Sequence, residues 1–148
     1  MIVSEGAVPK RIGLAVSSFN AAITNPMRDA AMRTLKDAGV EETPVFEVPG
    51  ALEIPVAALA LIERAGCAGV VAIGAVIKGE TDHYERVAQE ATRGIGEVAL
   101  RTGRPVGNAL LTVHEYDHAL ERSRPGPGNK GAEAAAAVVA VARRLSSL

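Results

Sequence analysis

The stretch GVVAIGAVI, residues 69–77, limits what this chain can fold into more than any other feature. It carries no polar residue, and it is far shorter than the roughly 20 apolar residues that cross a bilayer. A strand with one wet face alternates apolar and polar side chains. This one does not alternate, so both of its faces must be covered. RIGLAV (Arg11–Val16) and VGNALLTV (Val106–Val113) read the same way, and PVFEV (Pro44–Val48) reads as a shorter strand.

Helical spacing fills the gaps between these runs. Asn25 and Pro26 open a first helix, with Asn25 as N-cap and Pro26 in the first helical position, and Gly39 closes it. A second spans about 51–65 with Pro55 in its first turn, and a third about 82–101, ended by Gly103 and Pro105. A short helix near 116–122 and an Ala-rich one over about 131–145 flank the Pro/Gly loop RSRPGPGNKG. Strands alternating with helices build βαβ units, hence a parallel sheet with helices on both faces.

The chain has 148 residues and no internal linker, so a single domain over 1–148 is expected, with residues 1–10 as an extended N-terminal segment. A net charge of −1 gives no electrostatic reason to bind nucleic acid. The start, MIVSEGAVPKR, lacks the apolar core of a secretory signal, and no stretch is long and apolar enough for a membrane helix. Cys67, the single cysteine, has no internal partner and no Cys/His cluster around it. It reads as a buried structural thiol in a reducing cytoplasm, and no metal site is expected. Only two Phe, two Tyr and no Trp are present, so Val, Ile, Leu and Ala must build the core. An aromatic outside that core is therefore informative.

In open parallel sheets, ligands bind beyond the carboxyl ends of the strands. Those ends here read Ser17-Ser18-Phe19-Asn20, Pro49-Gly50-Ala51-Leu52-Glu53, Lys78-Gly79-Glu80-Thr81-Asp82-His83 and His114-Glu115-Tyr116-Asp117. Phe19 is either a core plug under the sheet edge or a flat surface for a planar ring. Glu53 either answers a helix dipole or accepts hydrogen bonds from a polyol, with Gly50 and Ala51 admitting a ligand to the backbone. Gly79-Glu80-Thr81 precedes a helix amino terminus, which suits an anion provided that Glu80 faces away. His83 is either a solvated residue or a proton carrier near neutral pH, whereas His114 and His118 read as surface residues. Arg122 and Lys130 are solvated cations or phosphate ligands.

SSFN, VPGALEIP, GAVIKGETDH and GNKGAEAA, in this order and spacing, resemble lumazine synthases over about residues 11–143. The resemblance implies a flavodoxin-like three-layer αβα sandwich around a central four-stranded parallel sheet. It also implies a cofactor-free condensation of 5-amino-6-(D-ribitylamino)uracil with 3,4-dihydroxy-2-butanone 4-phosphate, the penultimate step of riboflavin synthesis. On that resemblance Phe19 and Asn20 hold the pyrimidine, Ala51 and Glu53 hold the ribityl chain, and Gly50 and Leu52 are substrate-binding, Leu52 beside the ring. Val76 and Ile77 offer main-chain contacts to the pyrimidine edge, Gly79, Glu80 and Thr81 form the phosphate loop, and Lys78 is a further substrate-binding residue. Arg122 pairs with the phosphate, His83 is the general acid/base, and Lys130 lies near the site. The resemblance further implies a homopentamer with shared sites, a sixty-subunit shell of twelve pentamers, and association with riboflavin synthase. In that assembly Asn108, Arg122 and Lys130 complete a neighbour's site.

The chain departs from the family pattern at Ser18, Leu52 and Asn108, where arginine, phenylalanine and phenylalanine are common, and at the stiff Pro125-Gly126-Pro127 loop. A flavin-carrying electron carrier would want its phosphate loop directly after the first strand, where SSFNAA offers little. A non-catalytic shell or flavin/lumazine-binding relative would be expected to lack His83 or Arg122, and both are present.

Overall fold

The computed structural model of the chain describes residues 1–148. Strands β1 (Gly13–Ser17), β2 (Val45–Val48), β3 (Val70–Ile77) and β4 (Val106–Val113) form one all-parallel sheet in the order β2-β1-β3-β4. Helices α1 (Ala21–Asp37), α4 (Tyr116–Ser123) and α5 (Lys130–Ser146) cover one face, and α2 (Ile54–Glu63) and α3 (His83–Thr102) cover the other. The result is a three-layer αβα sandwich with the doubly wound strand order of flavodoxin-like sheets.

The period of two along each strand feeds two separate cores. Leu14, Val16, Val71, Ile73 and Ala75 point toward α1 and α5, in a cluster of 19 buried residues. Ala15, Val70 and Ala72 point toward α2 and α3, in a cluster of 14. No aromatic side chain is in either cluster. Both phenylalanines are exposed, Phe19 by 69% and Phe46 by 43%. Cys67 is buried, and burial pushes its thiol pKa up against the lowering influence of Arg11. No helix is long and apolar enough to cross a membrane.

Three local readings need correction. The first helix begins at Ala21, not Pro26, and Pro26 lies inside it. Asn20 explains the earlier start. It adopts a left-handed conformation (φ 61°, ψ 48°), the single non-glycine positive φ in the chain, and turns the backbone straight from β1 into α1. Pro26 removes one helical hydrogen bond, to the carbonyl of Ala22, which sits on the exposed side of the helix.

The fourth strand is covered on both faces only in part. β4 is an edge strand: Ala109, Leu111 and Val113 join one core and Leu110 the other, but Asn108 and Thr112, on the same face as Leu110, are exposed. The segment after β2 forms a short 3-10 turn at Ala51–Glu53 before α2, where a continuous helix was expected.

Residues 1–10 have no regular secondary structure and lie along the end of α5. The Gly6 N–H donates to the Arg143 carbonyl at 3.1 Å, and Arg143 Nε donates to the Gly6 carbonyl at 2.9 Å.

One buried polar side chain ties α4 to α5. Asn129 is 1% exposed, and its Oδ1 accepts from the Ala132 N–H at 3.0 Å, capping α5. Its Nδ2 donates to the carbonyls of Ser123 and Arg124 at 2.9 and 3.0 Å, closing the end of α4. This joint places Arg122 and Lys130 on either side of the Pro/Gly loop.

Candidate functional site

The strand order reverses between β1 and β3, where the chain leaves toward β2 on one side and β4 on the other. Above that point lies a cavity of about 550 Å³, within the size range of small-molecule sites. Its floor is Ala75, Val76 and Ile77, where β3 becomes half-buried as it runs out of the sheet.

Phe19 and Asn20 enter from the end of β1. Their backbone is fixed to the end of β2, because the Ser18 N–H donates to the Val48 carbonyl at 2.8 Å and the Phe19 N–H to the Pro49 carbonyl at 3.1 Å. Asn20 Nδ2 donates to the Ala75 carbonyl at 3.2 Å, tying the left-handed corner to β3. Phe19 is thus held open to solvent against the cavity, which rules out the core plug.

Gly50, Ala51, Leu52 and Glu53 form the opposite wall. The Gly50 N–H donates to Glu53 Oε1 at 3.0 Å, so the carboxylate is oriented by its own turn while Oε2 has no intramolecular partner. Gly79, Thr81 and His83 close the rim at the start of α3. The His83 N–H donates to Thr81 Oγ1 at 3.3 Å. Asp82 occupies the N-cap position without a side-chain cap, so N–H groups of this first turn remain available to an anion.

Tyr84 and Val87 also line the cavity, and neither was picked from the sequence. Helical spacing from His83 was a usable signal for Val87, four residues further along, but not for Tyr84, which is the next residue.

Other expected site residues lie elsewhere. Lys78 and Glu80 are exposed and do not line the cavity, and Lys78 Nζ pairs with Glu85 at 3.5 Å. Asn108 Oδ1 accepts from the Leu110 N–H at 2.9 Å on the β4 edge. Arg122 Nη1 donates to the His118 carbonyl at 3.0 Å, and Lys130 Nζ to Glu133 at 2.9 Å. Within one chain these three do not reach the cavity. No group of three or more His, Cys, Asp or Glu side chains is placed to share a metal ion.

Fold and cavity together define a class: a doubly wound α/β protein with a ligand-sized cleft at its topological switch point. The aromatic, carboxylate and imidazole around that cleft narrow it further. The sequence model of the 6,7-dimethyl-8-ribityllumazine synthase family matches residues 9–146, and the chain belongs to that family. Its members are transferase-type enzymes of riboflavin biosynthesis that act on small molecules.

Proposed function

We propose that this chain condenses 5-amino-6-(D-ribitylamino)uracil with 3,4-dihydroxy-2-butanone 4-phosphate to 6,7-dimethyl-8-ribityllumazine, releasing phosphate and water. The observation that carries this reading is the meeting of Phe19, Glu53, Thr81 and His83 around one cavity in a chain of that family.

In this reading the pyrimidine stacks on Phe19, with Asn20 beside it, and the ribityl hydroxyls donate to the open oxygen of Glu53. Main-chain groups of Val76 and Ile77 meet the pyrimidine edge. The phosphate sits over Gly79, Thr81 and the N–H groups opening α3, with Lys78 and Glu80 at the outer rim. His83 moves protons as the amine adds to the ketone, as water and phosphate leave, and as the ring closes. Holding two substrates in register supplies much of the remaining acceleration, with roughly 7–11 kcal/mol available from proximity.

Mixing both substrates with the protein and following lumazine absorbance and fluorescence tests the reading directly. The chain has no Trp, so the protein background is low. Product formation no faster than in the protein-free control would rule the reading out.

The phosphate subsite is completed, in this reading, by Arg122 of a neighbouring subunit, with Lys130 and Asn108 alongside. Exposed apolar side chains on the α2/α3 side are available to such an assembly: Leu52, Val56 and Leu100 are 48%, 65% and 88% exposed. Light scattering should then report a particle of at least about 75 kDa, five copies of a 15.3 kDa chain. A mass near that of a single chain would refute the assembly, and a pentamer-sized mass would refute only the sixty-subunit shell. Arg122→Ala should raise KM for the phosphorylated substrate by roughly 10- to 100-fold, the equivalent of about 1.5–3 kcal/mol for a charge-assisted hydrogen bond. Unchanged kinetics would leave Arg122 a solvated surface residue.

A further inference from the structure

His83 opens α3, yet little fixes the turn that carries it. Its N-cap, Asp82, gives the backbone no side-chain cap. The Asp82 carboxylate instead accepts from Arg86 Nη2 at 3.3 Å, in a largely exposed i,i+4 pair that holds a helix weakly. The backbone of the turn is supported by the 3.3 Å contact of the His83 N–H with Thr81 Oγ1. The His83 side chain is exposed and has no intramolecular hydrogen bond to orient it. An uncapped first turn frays unless tertiary contacts hold it.

Two such contacts are present. Lys78 and Glu85 pair at 3.5 Å, but both are about half exposed, at 42% and 52%, and such pairs hold a helix weakly. The other contact is aromatic. Tyr84 meets His114 edge to face, with ring centroids 5.6 Å apart and planes at 81°, a geometry that aromatic rings favour.

His114 is the first residue beyond β4, and the sheet holds that end firmly, since the Lys78 N–H donates to the Val113 carbonyl at 2.9 Å. Tyr84 in turn lines the cavity next to His83. Sheet frame, His114, Tyr84 and His83 thus form one continuous chain of contacts.

We infer that His114 is a positioning residue: its ring pins Tyr84, and through Tyr84 the first turn of α3, so that the His83 imidazole stays aimed into the cavity. The inference rests on the proposed role of His83 and adds to it a second histidine that touches no substrate.

The test compares His114→Ala, His114→Phe, His83→Ala and the His83→Ala/His114→Ala double variant in the condensation assay. Amide hydrogen exchange over residues 83–86 is followed in the His114 variants. His114→Ala should lower kcat by about threefold to tenfold, with both KM values within about twofold of the parent. Its Tm should stay close to that of the parent, because the ring is exposed. Exchange in the first turn of α3 should quicken.

His114→Phe keeps an aromatic ring without a titrating nitrogen, and it should restore both kcat and protection. In the His83→Ala background, His114→Ala should cost nothing further.

A His114→Ala enzyme with parental kcat, beside a slow His83→Ala enzyme, overturns the positioning role and leaves the functional reading standing. A His114→Phe enzyme as slow as His114→Ala overturns it too, since the imidazole itself would then be needed. A His83→Ala enzyme with parental kcat removes the catalytic reading, and this role with it. Unchanged exchange in His114→Ala overturns the pinned turn whatever the enzyme assay gives.

Discussion

His83→Ala should lower turnover by roughly 10²-fold or more, the usual contribution of a positioned general acid/base, while KM for either substrate moves little. The side chain is exposed at the cavity rim and makes no structural hydrogen bond, so its removal should leave fold and assembly intact. Steady-state assay of lumazine formation checks the rate, and light scattering with circular dichroism checks the rest. What remains after truncation would come from binding two substrates side by side, which needs no imidazole. Turnover within about twofold of the parent would mean that protons move through solvent or another group, and His83 would lose its assigned part.

Gly131→Ala should be the most destabilising of the conservative changes considered. A Cβ built on Gly131 falls on the backbone of Met27, at 2.8 Å from its carbonyl carbon and 2.9 Å from its Cα, and closer still to the carbonyl oxygen. Backbone cannot rotate out of the way as a side-chain end can, so α5 would have to move away from α1 across their shared core. Alanine is the better helix former by about 1 kcal/mol, and that gain is smaller than an overpacking cost of roughly 3 kcal/mol. The net loss should lower Tm by several degrees, given about 2–4 °C per kcal/mol in a domain of this size. A thermal melt within about 2 °C of the parent would show that the two helices separate more freely than their packing implies. Because Asn129 and Lys130 directly precede Gly131, the change should also disturb the α4–α5 joint and weaken handling of the phosphorylated substrate.

Much of the fold was legible in advance because strands of a covered parallel sheet announce themselves locally. An apolar run such as residues 69–77 has no stable state except burial on both faces, and β1, β3 and β4 lie where near-continuous apolar runs occur, while the shorter run at 44–48 holds β2. The walls of the cleft were legible for a related reason. Ligands gather beyond the carboxyl ends of such strands, and the unusual residues after β1, β2 and β3 do face one cavity. The start of α1 was misread because Asn25-Pro26 carries a strong statistical signal for a helix opening, whereas Asn20 opens the helix through a left-handed backbone that composition does not reveal.

The amino-acid order by itself determined the alternation of strand and helix, a core built mainly of Val, Ile, Leu and Ala, and the short list of chemically unusual residues at the strand ends. Each of these depends on neighbours in the chain, through periodicity and through the conformational limits of Gly and Pro. Tertiary structure alone decided which of those residues meet. It opened Phe19 to the cavity, bound Asn20 to Ala75, set Tyr84 against His114, and left Asn108, Arg122 and Lys130 outside one chain's cleft. Such meetings depend on sheet register and helix docking between segments tens of residues apart, and no local pattern carries that information.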